Sequence, residues 1–160
     1  MTVMEFQAKK IERIAEALAH YVATTREDRL TWEAPGEGEA KGRSALDMVS
    51  ECVVTNKMFA ALLRGETPDV QAARANAPVF TDAATANAQL IASGKELGAA
   101  VRALTDADLA RIFPFWRGPV TGEVLIEGGY RNMVYHGGQI NFIQCLYGDT
   151  EFHVPPTWMN

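Results

Sequence analysis

The sequence predicts an all-α protein folded as one four-helix bundle. Four stretches repeat apolar residues at three- and four-residue steps, no run alternates apolar and polar residues over strand length, and capping residues bound the helical stretches. Layers of helix on helix are the stable way to bury such stripes. Connections of roughly a dozen or more residues separate most of the four, so an up-down-up-down order is not forced.

The first helix is expected from about Val3 to Thr24, with Ile11, Ile14, Ala15, Leu18, Tyr21 and Val22 on one stripe and Lys9, Lys10, Glu12, Arg13 and Glu16 mostly opposite. Periodicity stops between Arg26 and Arg43, where Pro35, Gly36, Gly38 and Gly42 fall, so this is a loop whose Trp32 tucks against the bundle. Ser44 with Asp47 three residues on is a capping-box pattern that opens the second helix. Leu46, Val49, Val53, Ala60 and Leu63 make its stripe, and Met48, Cys52 and Phe59 widen it until Glu51 and Asn56 are the odd members. Gly65 and Pro68 end it.

Residues 69–80 read as a connector. Thr81 or Asp82 caps the third helix, whose stripe of Ala83, Ala86, Leu90, Leu97, Val101 and Leu104 includes Gly94, a sign of close helix packing. Thr105 with Asp108 repeats the capping-box pattern before an aromatic loop of Phe113, Phe115 and Trp116 bounded by Gly118 and Pro119. The last and longest helix runs from a cap at Thr121 to a C-terminal glycine, Gly148, and the tail from Glu151 to Asn160 carries Pro155 and Pro156 and is expected to lie extended. The whole chain, 1–160, reads as a single domain.

Composition excludes several function classes. Twenty acidic against fifteen basic side chains give a net charge of −5, which leaves no basic surplus for nucleic acid or an anionic membrane. No apolar run reaches the length of a membrane span. The N-terminus enters an amphipathic pattern directly, without the apolar core of a signal peptide. Two Cys make no disulfide framework, so a cytoplasmic location is the expectation.

The candidate chemistry lies on the last helix. Neutral imidazole is the commonest protein metal ligand, which makes His136 the first candidate. Asn132 precedes it by four residues and Gln139 follows by three, so all three share a face, and Tyr130 and Tyr135 flank them. Gly137 and Gly138 strip bulk from this turn, although each interior helix glycine costs about 1 kcal/mol against Ala. Glu51, a carboxylate on the apolar second helix, needs a partner if buried. Pairing with His136, with or without a metal between them, supplies one; removing His136 would then leave the carboxylate unpaired at a cost of about 3–5 kcal/mol. A core histidine satisfied by Glu51 or by a backbone carbonyl is the alternative, and it stays open here. Asn132 reads as a hydrogen-bonding partner in the pocket more than as a ligand. Cys145 faces away from His136, which excludes a Cys/His nucleophile pair on this helix, and both Cys52 and Cys145 read as core residues. His20 and His153 read as surface positions. The loop aromatics either line a pocket mouth or pack over the bundle end.

Two stretches, GRSALDMVSECVVTNKMF and YRNMVYHGGQINFIQCLYGD, together with the helix spacing between them, resemble the DinB-like (DNA-damage-inducible B) superfamily of four-helix bundles. The resemblance covers nearly the whole chain. It implies a divalent-metal site, nickel or zinc, held by three His, and in some relatives thiol-dependent transferase or isomerase chemistry. Residue by residue, His136 matches the last ligand, Asn132 the middle one, and Glu51 falls at or close to the first. One of three His is kept, and a neutral amide is a poor ligand for nickel or zinc.

Two functions follow. The first is a degenerate metal or small-molecule site at Glu51, Asn132 and His136, with Gln139 and Tyr135 lining the pocket, supporting thiol-dependent transfer or metal-dependent hydrolysis. The second is a non-catalytic bundle, linked to stress response or scaffolding, in which the Glu/Asn/His network is structural. The almost all-round apolar second helix also suggests a homodimer. Cofactor expectations are one divalent metal or none. Partners are a small molecule or thiol, with neither nucleic acid nor membrane.

Overall fold

The computed structural model describes residues 1–38 and 41–159; Glu39 and Ala40 of the expected loop and Asn160 of the expected tail lie outside them. Helices α1 (Val3–Thr24), α2 (Ala45–Leu63), α3 (Val70–Ala75), α4 (Ala83–Arg102), α5 (Asp106–Ala110) and α6 (Gly122–Leu146) account for most of the chain. The four long ones, α1, α2, α4 and α6, form the bundle.

Local chemistry sets their ends. The Thr2 hydroxyl accepts from the Glu5 amide to start α1. Ser44 and Asp47 close a reciprocal capping box on α2, and Thr105 and Asp108 close a second on α5. The Asp82 carboxylate, rather than Thr81, accepts from the Thr85 amide and caps α4. At the far end of α6, Gly148 takes φ +92°, a conformation that suits glycine, and lets the Asp149 amide reach back to the Gln144 carbonyl at 3.0 Å.

Helix order in space differs from order in sequence. Helix α1 packs along α4 and α6, and α2 packs along the same two, so α1 faces α2 across one diagonal and α4 faces α6 across the other. Gly94 on α4 admits α1, since a Cβ there would stand 2.7 Å from the Ala15 methyl. Arg102 of α4 clamps the same pair, reaching Glu5 at 2.7 Å and Glu12 at 2.6 and 2.8 Å.

The α2–α6 and α4–α6 contacts are tighter still. A Cβ on Gly128 would lie 2.3 Å from the Phe59 ring, and one on Gly129 would lie 2.4 Å from Leu97 and 2.8 Å from the Asn56 side-chain oxygen. Asn56, one of the two odd polar residues of α2, is fully buried at this point and donates to the Ser93 hydroxyl at 3.1 Å. Two α6–α1 bonds fix the helix lengthwise: Gln7 donates to the Ile126 carbonyl at 3.2 Å and Gln144 to the Tyr21 carbonyl at 3.1 Å.

Several expectations change. The connector after α2 contains α3, capped by Asp69, and the loop after α1 contains a 3-10 turn, Glu27–Arg29. Before α6 the chain pairs two short strands, β1 (Ile112–Phe113) and β2 (Val120–Thr121), antiparallel. Two residues per strand are too few to leave a visible alternation. The tail makes one 3-10 turn, Pro156–Trp158, against α1. Cys145 is exposed rather than in the core, while Cys52 is buried. His153 is mostly covered and bonds Asp149 at 2.9 Å. The apolar surface of α2 is spent inside the chain against α4 and α6, which withdraws the ground for assigning a dimer interface to it. No helix among the described residues is long and apolar enough to cross a membrane.

The packing predicts opposite outcomes for two glycines of one helix. Gly129→Ala is expected to cost about 1–3 kcal/mol through overpacking. Gly138→Ala, where an added methyl meets open space, is expected to gain about 0.5–1 kcal/mol from helix propensity. Urea denaturation of the two variants against wild type checks both, and equal effects would contradict the close approach at Gly129.

Candidate functional site

Helices α2 and α6, brought together at Gly128 and Gly129, carry the expected site residues into one group. Glu51 lies two turns N-terminal to Phe59 on α2, and Asn132 lies one turn beyond Gly128 on α6. Asn132 Nδ2 stands 3.5 Å from Glu51 Oε1, and His136 Nε2 stands 3.5 Å from the same oxygen. Gln139, the next residue on that face, places its side-chain oxygen 2.7 Å from His136 Nδ1. Tyr135 sets its ring edge-on to the imidazole, 5.3 Å between centroids, and is itself exposed.

A residue that sequence reasoning missed completes the group. Arg43, the last loop residue before the α2 cap, forms an ion pair with Glu51 through Nη1 and Oε2. Its side chain is 58% exposed and that of Glu51 is 35% exposed. Glu51 is therefore neither deeply buried nor without a cation, and loss of His136 strands no buried carboxylate. The expected penalty of about 3–5 kcal/mol falls to the ordinary cost of truncating a buried side chain, about 1–3 kcal/mol.

His136 is only 3% exposed. Burial holds its imidazole below the usual value of 6.5; the Gln139 hydrogen bond works against that shift, and the nearby Arg43 charge adds to it. The ring is neutral at pH 7. With the Gln139 oxygen toward it, Nδ1 carries the proton and donates, which leaves Nε2 a bare lone pair. That lone pair faces a carboxylate oxygen, an acceptor facing an acceptor, and has no hydrogen-bond partner; the buried Oδ1 of Asn132 has none either. Both residues line a half-open cleft of about 440 Å³ bordered by Lys41, Arg43 and Tyr135, with these two atoms beneath its surface.

The donor set fits a nickel or zinc ion poorly. No group of three or more His, Cys, Asp and Glu among the described residues is placed to hold a metal. The one carboxylate at the centre already carries a guanidinium, so a divalent ion would enter beside a positive charge with one imidazole and one neutral amide as its other ligands. The unpartnered acceptors on His136 and Asn132 suit a neutral hydrogen-bond donor better.

A larger cleft of about 590 Å³ adjoins this one, sharing Arg43, Glu51 and Asn132. Phe115 and Trp116 pack on Phe59 at its edge, with centroids 5.9 and 6.0 Å away, whereas Phe113 is buried and Trp32 packs against the core. Of the four loop aromatics, two therefore border the cleft.

The pH dependence follows from His136. Its folded value lies below its unfolded one, so the unfolded chain binds the proton more tightly. The contribution of the neutral ring is complete above about pH 6.5 and is lost as the pH falls below that. Wild type is expected to lose more stability than His136→Gln between pH 8 and pH 5, measured by urea denaturation at each pH. In the native protein a thiol reagent is expected to modify Cys145 quickly and Cys52 only on unfolding, because burial both covers the Cys52 thiol and pushes its pKa up.

No curated protein matches the chain. The family model described as the DinB superfamily matches residues 10–140, from the middle of α1 to two turns before the end of α6, and so spans the bundle and all four members of the Arg43, Glu51, Asn132 and His136 group. The chain belongs to the DinB superfamily.

Proposed function

We propose that this bundle binds a small protic molecule, a thiol or a hydroxyl compound, at His136, and that the site works without nickel or zinc. The observation that carries the reading is the Arg43–Glu51 ion pair beside the unpartnered His136 Nε2. Arg43 occupies the electrostatic role that the family resemblance gives to a metal: it neutralises Glu51 and keeps a positive charge beside the imidazole. A thiol or hydroxyl hydrogen donates to Nε2 and gives it the partner the protein does not. Because burial keeps the ring neutral near pH 7, the same nitrogen can accept that proton as a general base, with Gln139 holding the ring orientation from Nδ1. The anion so formed lies beside the Arg43 guanidinium. This is acid/base-assisted transfer chemistry with His136 as base, Arg43 as charge partner and Asn132 as orienting group.

The alternative, a purely structural network, draws on the near-complete burial of His136. It accounts for Nδ1 but leaves Nε2 and the Asn132 oxygen without partners. A homodimer is better served by α6 than by α2, since Tyr135, Phe142 and Leu146, seven and four residues apart, are exposed along one face of α6.

Protein purified without a His-tag is expected to hold far less than one metal per chain by elemental analysis, and added zinc or nickel to shift its melting temperature no more than that of His136→Ala. Arg43→Gln releases the carboxylate and is expected to increase the zinc response. In NMR, 2-mercaptoethanol is expected to move the His136 imidazole resonance saturably. Near-stoichiometric metal that disappears in His136→Ala, with an imidazole insensitive to thiol, would overturn the reading.

A further inference from the structure

The larger cleft carries a charge pattern that the network at its inner end does not use. Its walls come from α2, α3, the aromatic loop and α6, and three guanidinium groups line it: Arg43, Arg74 and Arg117. Its acidic lining is already engaged. Asp47 bonds the Ser44 amide and hydroxyl in the α2 cap, at 3.2 and 2.7 Å, and Glu51 pairs with Arg43. Arg74 and Arg117 have no ion-pair partner among the described residues, so two positive charges stand uncompensated in one cleft of a chain whose net charge is −5. Elsewhere, Arg26, Arg29, Arg64, Arg102, Arg111 and Arg131 all have carboxylate partners. The same cleft has an aromatic lining: Phe115 and Trp116 pack in a tilted pair, 3.8 Å between centroids, and rest on Phe59, with Trp116 partly exposed. Arginine recognises carboxylate and phosphate through paired N–H donors, and an exposed aromatic cluster favours a planar apolar body.

We infer that the cleft binds a small aromatic anion, an aryl carboxylate or aryl phosphate, with its ring against Trp116 and Phe115 and its charged group between Arg74 and Arg117. The inference rests on the small-molecule reading of the adjoining site and names the class of molecule that reaches it. Arg74 comes from the short helix α3 and Arg117 from the turn between the β strands, two elements far apart in the chain that both line this cleft. The volume, about 590 Å³, lies within the range of pockets for compact organic ligands.

The test uses the full-length protein and four probes of one ring size: benzoate, phenyl phosphate, benzyl alcohol and benzylamine. Calorimetric titration and Trp fluorescence, with Trp116→Phe as the control for signal origin, read binding. At least one of the two anions is expected to bind saturably and at least about tenfold more tightly than the alcohol or the amine, with affinity falling as salt rises. The stronger anion identifies which charged group the site takes. Arg74→Ala/Arg117→Ala, two exposed positions whose loss should leave folding intact, is expected to weaken that anion at least about tenfold. Equal binding of benzyl alcohol, an unchanged affinity in the double variant, or no saturable binding of either anion at about 10 mM each overturns the inference. Thiol perturbation of the His136 resonance is read separately: if it persists while the anions fail, the ligand class is wrong and the reading of the inner site stands.

Discussion

The interaction that the site depends on is the close approach of α6 to α2 and α4 at Gly128 and Gly129. Side chains cannot be accommodated there without moving Phe59, Leu97 or Asn56, and protein interiors resist such movement. This contact sets the separation of two helices one turn before Asn132, and the 3.5 Å spacings from Glu51 to Asn132 and to His136 follow from it. Asn56 makes the constraint polar as well as steric. Its amide is committed to Ser93, and its oxygen lies where a Gly129 methyl would be. Helix proximity thus brings Glu51 to Asn132 and His136, while the short bonds of the group, His136 to Gln139 and Glu51 to Arg43, set the orientation of the imidazole and the carboxylate.

Electrostatics then decide what the group can do. A carboxylate beside a neutral imidazole invites a cation, and in this chain the cation is covalently part of the protein. Arg43 comes from the loop immediately before the Ser44 cap, so the capping box that starts α2 also aims the guanidinium at Glu51, two turns into the helix. A guanidinium brings one charge, five donors and no open coordination position, whereas a divalent metal brings two charges and Lewis acidity. The exchange moves the site away from metal chemistry and toward hydrogen bonding and proton transfer, with Nε2 of His136 as the acceptor left over.

The periphery adds recognition. Elements outside the four long helices, α3 and the β1–β2 turn, supply the arginines without ion-pair partners among the described residues and the packed aromatics that line the outer cleft. Rigid scaffold and variable rim divide the labour, as is common where loops carry function on a fixed core.

Much of this was legible in the sequence. Helix periodicity located α1, α2, α4 and α6, and the capping residues Ser44, Asp47, Asp82, Thr105 and Asp108 located starts that the structure reproduces, because caps and apolar stripes are local consequences of backbone hydrogen bonding and burial. The grouping of Asn132, His136 and Gln139 was equally local, since residues three and four apart share a helix face. Arg43, Arg74 and Arg117 were not legible: each is an ordinary charged residue in a loop or short helix, with no spacing to set it apart. Gly128 and Gly129 passed unnoticed beside Gly137 and Gly138, although the first pair is the one in close contact and Gly138 faces open space. Nor did composition show that α1 lies diagonal to α2, or that the apolar face of α2 is covered within the chain. The sequence by itself determined which segments are helical and which side of each is apolar. Only the tertiary structure decided which helices meet and which cation reaches Glu51, because both depend on contacts between residues far apart in the chain.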